Sequence, residues 1–126
     1  MLRSSLFATA VGFFAVTLAF ASEGNVDGDR MAECYASYDA LVALGEVNKI
    51  TPAEKTGYEA QRVKAEARAI VLFQSEGLNE ELAREMLEGR AVYMRSELRD
   101  LRDGVGIYGA DEMRKFASDC DPLLVD

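Results

Sequence analysis

The stretch GVGIYG, residues 104–109, sets Gly104, Gly106 and Gly109 in the G-x-G-x-x-G spacing that can wrap a dinucleotide pyrophosphate. That chemistry needs a strand to deliver the chain into the turn and a helix whose free N–H groups face the phosphates. It also needs an acidic residue about 20 positions on to hold the ribose. Here the glycines follow Arg99-Asp100-Leu101-Arg102-Asp103, which is helical in pattern, and what comes after Gly109 reads as one helix and a short tail. The spacing is therefore read as structural. Gly104 lies just past the end of a helix, and Gly106 and Gly109 turn the chain into the next one. No cofactor is expected. The residues the glycines enclose, Ile107 and Tyr108, either fold back over the end of the fold, the commoner outcome, or stand out as an apolar contact point. If they stand out, this loop is the first candidate for a partner surface.

The 126 residues contain no histidine. The usual general base near neutral pH and the commonest metal ligand are missing, and with them Ser-His-Asp sites, Cys-His sites and His-ligated haem. Paired carboxylates remain available for acid–base work, but a narrow bundle of helices offers them no cleft, so no catalytic site and no metal site is expected. Asn25-Val26-Asp27-Gly28-Asp29 opens like a calcium loop, yet the positions that need Gly and a bidentate Glu hold Arg30 and Ala36. Glu81, Glu85 and Glu88 share one helical face, with Arg84 beside Glu88, and read as a solvated surface. Arg95, Arg99 and Arg102 form a basic stripe whose guanidinium groups could grip an acidic partner or a phosphate. The plainer account pairs Arg99 with Asp103 and the others with acidic residues on neighbouring helices.

Placement follows from the N-terminus and the cysteines. Arg3 precedes an apolar run over 6–21 that ends in Ala19-Phe20-Ala21, the pattern of a secretory signal peptide cut before Ser22. The run is short for a hydrocarbon core, which takes about 20 residues to cross. The expected organisation is a signal peptide over 1–21, a flexible segment over 22–28 and a single helical domain over 29–126. Cys34 and Cys120 are the two cysteines. In an oxidising compartment they read as a structural disulfide, closing a long loop and contributing about 4 kcal/mol in the chain-entropy picture. They lack the C-x-x-C arrangement of a redox pair. With 22 acidic against 14 basic residues the net charge is −8, which disfavours nucleic acid and anionic lipid surfaces. A periplasmic or secreted protein with no membrane span after cleavage is expected.

The elements that must position these residues are helical throughout. Met31, Tyr35, Tyr38 and Val42 space a first helix over about 29–46. Thr51-Pro52-Ala53-Glu54 is a capping box with proline at the first helical position, opening a second helix that runs to Ser75, with Gly77 after it. Asn79 caps a third, in which Leu87, Ala91, Met94, Leu98 and Leu101 make a heptad-like seam as far as Gly104. A fourth covers about 110–119, and Pro122 forbids its continuation. Short connections give an all-α, four-helix up-down bundle tied by Cys34–Cys120. Three long helices with the last segment wrapped across them would satisfy the same bond.

This subtraction leaves a small exported non-enzymatic protein that binds a protein partner in the cell envelope, of inhibitor, immunity or accessory type. Its expected contacts are Ile107 and Tyr108 with Arg95, Arg99 and Arg102. The alternatives are an envelope chaperone or stress protein, and a carrier of a small apolar ligand lined by Tyr35, Tyr38, Phe73 and Met94. N-terminal sequencing of the exported chain should read Ser22-Glu23-Gly24, and a maleimide should label neither cysteine until reductant is added. A chain retaining Met1 in the envelope fraction would overturn the cleavage.

Overall fold

The computed structural model describes residues 26–125; the expected signal peptide and its cut before Ser22 lie outside the described residues. Four helices, α1 (Gly28–Glu46), α2 (Pro52–Ser75), α3 (Glu80–Ser96) and α4 (Ala110–Cys120), are joined by short turns. Single 3-10 turns cover Arg99–Leu101 and Asp121–Leu124. Ion pairs give the directions. Arg90 and Arg95 of α3 meet Asp29 and Asp39 of α1 in the same order along the chain, so these helices run parallel. Cys120 at the end of α4 bonds Cys34 near the start of α1, so α4 runs opposite to α1. The result is the up-down-up-down bundle, with the two cysteines at one pole and their Cα atoms 5.7 Å apart.

Local chemistry sets the helix starts. Asp27 accepts a hydrogen bond from the Arg30 N–H at 2.8 Å, so α1 begins at Gly28, and Asp27 and Gly28 belong to the helix start rather than to a flexible segment. The Thr51 hydroxyl accepts from the Glu54 N–H at 3.1 Å and the Glu54 carboxylate accepts from the Thr51 N–H at 3.0 Å, completing the capping box of α2. Asn79 accepts from the Leu82 N–H at 2.8 Å to open α3.

The core gathers on α1, where Met31, Cys34, Tyr38, Leu41, Val42 and Leu44 are buried while Asp29 and Glu33 near its start stay exposed. A helix that buries so many of its residues must pack on several neighbours, and α2, α3 and α4 all pack against this one. Buried alanines recur on all four helices, Ala32, Ala36 and Ala40 on α1, Ala65 and Ala69 on α2, Ala83 and Ala91 on α3, and Ala117 on α4. Short side chains let helix axes approach the lower end of the 8–10 Å range. Within this packing Asp39 is only 6% exposed. Arg62 of α2 donates to one of its carboxylate oxygens at 3.0 Å and Arg95 of α3 to the other.

The end of α3 departs from the heptad reading. The helix stops at Ser96, not near Asp103, although Leu98 still fills the core as the seam requires. In a continuing helix the Glu97 carbonyl would accept from the Leu101 N–H. Here it accepts instead from the N–H groups of Ile107 and Tyr108 at 2.9 and 3.0 Å, while the Arg99 N–H donates to the Tyr108 carbonyl at 2.8 Å. The glycine loop is thus folded onto the end of α3. Gly106 makes that approach possible: a Cβ there would lie 2.5 Å from the Arg99 nitrogen and 2.6 Å from the Glu97 oxygen. Gly104, at φ +85°, follows Asp103, at φ +43°, in the reversal that starts the return. Gly104 is therefore a loop residue and not the cap of α3.

Two substitutions test this frame by the urea midpoint. Asp39→Ala removes the buried partner of two arginines and should cost about 3 kcal/mol, the low end for breaking a buried pair, because Arg62 and Arg95 stay about one-third exposed. Gly106→Ala should cost about 1–3 kcal/mol as the loop is pushed off α3. Wild-type stability in either variant would contradict the corresponding contact.

Candidate binding groove

α3 and α4 each lean on α1 and leave a groove of about 770 Å³ between them. Its floor is Ala36 and Ser37 of α1. One wall is Met86, Gly89, Tyr93 and Met94 of α3, the other Phe116 and Asp119 of α4, and Tyr108 from the glycine loop closes one end. The floor is low because Ala36 is small and because Ser37 turns its hydroxyl to its own helix, donating to the Glu33 carbonyl at 3.0 Å. The α3 wall is notched at Gly89, where an added Cβ would meet nothing within 4 Å. Tyr93 is 61% exposed along this wall, and Tyr108 stands edge-on to Phe116 with ring centroids 5.2 Å apart.

The charges around the groove are unevenly satisfied. Arg90 pairs with Asp29 at 3.1 Å and Glu33 at 3.4 Å, and Arg30 pairs with Glu33 at 3.9 Å while approaching the Cys120 sulfur at 3.8 Å. Glu85 and Asp119 have no ion pair or hydrogen bond among the described residues. No group of three or more His, Cys, Asp or Glu suited to a metal occurs among them.

Contacts away from the groove hold α4 in place. The Tyr38 hydroxyl donates to Asp121 at 2.6 Å, and Gln61 donates to the same carboxylate oxygen at 3.0 Å, joining α1, α2 and the tail of α4. Burial, then the bond to Asp121, pushes the Tyr38 hydroxyl well above the ordinary tyrosine range. At the opposite pole Arg114 grips Glu54 with two N–H groups, at 2.9 and 3.2 Å, tying the start of α4 to the cap of α2. That guanidinium, followed by the Thr51 N–H, brings the Glu54 carboxyl down to about 2.

The residues singled out by spacing are dispersed. Ile107 stands out, 62% exposed beside Val105, while Tyr108 folds back into the groove end, so the loop divides between the two outcomes. The arginine stripe does not exist as one surface, because α3 ends between its members. Arg95 is spent on Asp39, with Glu88 at 3.8 Å. Arg99 meets Glu112 at 3.8 Å and the Ile107 carbonyl at 3.3 Å rather than Asp103, and Arg102 is exposed with no ion pair among the described residues. Arg84 likewise turns back to Glu80 and across to Glu66, not to Glu88. Of the four residues proposed to line a ligand pocket, Tyr38 and Phe73 are core and Tyr35 lies near Asp39, Arg62 and Glu66; Met94 alone reaches the groove. Met86, Gly89, Tyr93 and Phe116 were not anticipated. The available signal was a second row, Met86, Gly89 and Tyr93, beside the seam on α3, which makes its apolar face wider than one neighbouring helix covers.

Comparison with protein-family models, with curated proteins and with solved structures gives no match for this chain. No helix among the described residues is long and apolar enough to cross a membrane.

The depressed Glu54 carboxyl has a defined pH consequence. Its contribution to stability is present above its ordinary value of 4.5 and is lost as pH falls toward about 2. Urea midpoints compared near neutrality and at about pH 3 should drop less for Arg114→Met than for wild type. An equal drop would mean that this pair does not contribute to the acid sensitivity.

Proposed function

We propose that this chain is a small exported, non-enzymatic helical protein of the cell envelope, and that it binds a segment of a partner protein in the groove between α3 and α4. One observation carries the reading: Met86 and Tyr93 are exposed on a wall that continues without a break into half-buried Met94, Tyr108 and Phe116. Connected apolar surface around a cleft is typical of recognition sites, and aromatic side chains are the commonest anchors there. The Cys34–Cys120 bond supports residence in an oxidising compartment, in keeping with the signal-type N-terminus. The scaffold suits such a role, since both walls rest on the buried face of α1 and their ends are tied by the disulfide and by ion pairs.

A second reading, carriage of a small apolar ligand, draws on the groove's volume of about 770 Å³, which falls in the usual small-molecule range of roughly 300–1,000 Å³. The open side of the groove favours a chain segment, because a carried ligand is ordinarily enclosed over most of its surface.

The oxidised chain beginning at Ser22, used as bait in an envelope extract beside Gly89→Leu, separates these readings. Leucine at 89 fills the notch without touching the core and should gain about 1 kcal/mol of helix propensity, so lost binding cannot be blamed on unfolding. One protein held near stoichiometrically by wild type and lost with Gly89→Leu is the expected result. Equal retention by both baits would remove the groove from the proposal. A small molecule co-purifying in native mass spectrometry, with no protein retained, would favour the carrier.

A further inference from the structure

We infer that the segment this groove accepts is a cationic amphipathic helix, with two or three large apolar side chains along one face and lysine or arginine at one end. The inference rests on the groove-binding reading above and adds the chemistry of the partner.

The groove has two unlike ends. Because α3 runs parallel to α1 and α4 antiparallel to it, Glu85 near the start of α3 and Asp119 near the end of α4 both line the groove on the side of the disulfide pole. Tyr93, Met94, Tyr108 and Phe116 gather toward the other end. The basic groups of the rim are already engaged: Arg90 by Asp29 and Glu33, Arg30 by Glu33. What remains uncompensated is acidic, one carboxylate from each wall. Asp119 is also locally misplaced. It lies in the last turn of α4, which contains no basic residue, so the negative end of the helix dipole opposes its charge. A cation arriving at this pole would relieve both the unpaired carboxylates and that opposition. The chain's net charge of −8 would draw such a partner in from a distance.

The walls decide the backbone of the occupant. α3 and α4 satisfy their main-chain groups internally and present no row of free N–H and C=O groups. An added strand would find nothing to pair with, and a helix laid in the groove needs nothing of the kind. Nine steps of α3 separate Glu85 from Met94, a rise of about 14 Å. A helix bearing apolar residues at i, i+3 or i+4 and i+7, with basic residues a turn further on, matches that length and order.

The chain has no tryptophan, so emission from a single tryptophan in a synthetic peptide reports binding without background. Three helical peptides of about 16 residues would share the same apolar face, including the tryptophan, and carry Lys-Lys, Gln-Gln or Glu-Glu at one end. The lysine peptide should bind about tenfold more tightly than the glutamate peptide, with the gap narrowing as salt is raised. Glu85→Gln/Asp119→Asn should bring the three affinities together, and Gly89→Leu should remove binding of all three. Binding of all three peptides with equal affinity, or with the order reversed, would overturn the cationic partner and leave the groove standing. No peptide binding, while a protein is still retained from the envelope in a Gly89-sensitive way, would overturn the helical segment alone. Loss of both would remove the groove reading itself.

Discussion

A carboxylate buried in the middle of the most enclosed helix constrains how this molecule is assembled. Asp39 sits in the middle of α1, and an unpaired charge there would cost several kcal/mol. It is met from two directions, by Arg62 of α2 and Arg95 of α3, one guanidinium to each oxygen. The pairing ties α2 and α3 to one point on α1, so the rotation and register of the three helices have to satisfy it together with their nonpolar packing.

α4 has no part in that pairing. It is held by attachments at its two ends, the disulfide with Tyr38–Asp121–Gln61 at one pole and Arg114–Glu54 at the other. Along its middle it packs inward through Met113 and Ala117 onto α1 and leaves its flank toward α3 uncovered. The groove is the space left between two helices that each pack on α1 with little contact between them. Tyr108 then sets the groove's length, because the loop that carries it is hydrogen-bonded to the end of α3.

The features written in short local patterns were legible in the sequence. Thr51-Pro52-Ala53-Glu54 and Asn79 start helices where their caps say, and the two cysteines meet at the pole that an up-down order requires. The end of α3 was not legible. Leu98 and Leu101 continue the heptad spacing and Gly104 offers an obvious stop, so nothing local ends the helix at Ser96. The termination comes from competition for the Glu97 carbonyl by residues ten and eleven positions away. The same limit dissolved the arginine stripe, which was a stripe only on a helix that continues. The groove was hidden for a different reason: a gap between two helices belongs to their packing on a third, and Met86 and Tyr93 on α3 are ordinary flanking residues until α4 fails to cover them.

The covalent bond between the first and last helices also governs how the molecule carries load. Cys34 and Cys120 are separated by 86 positions, and among the described residues the ring they form leaves outside it little more than the first turns of α1 and the closing Asp121–Leu124 turn. Tension applied to the two ends of the chain therefore passes through the sulfur–sulfur bond and bypasses α2, α3 and the glycine loop. Pulled between both ends, the oxidised protein carries the load through the first turns of α1, where Arg30 and Glu33 lie, and spares the α3 and α4 walls of the groove. The same chain in reduced form would transmit the pull directly into α4 and open the wall that the groove depends on.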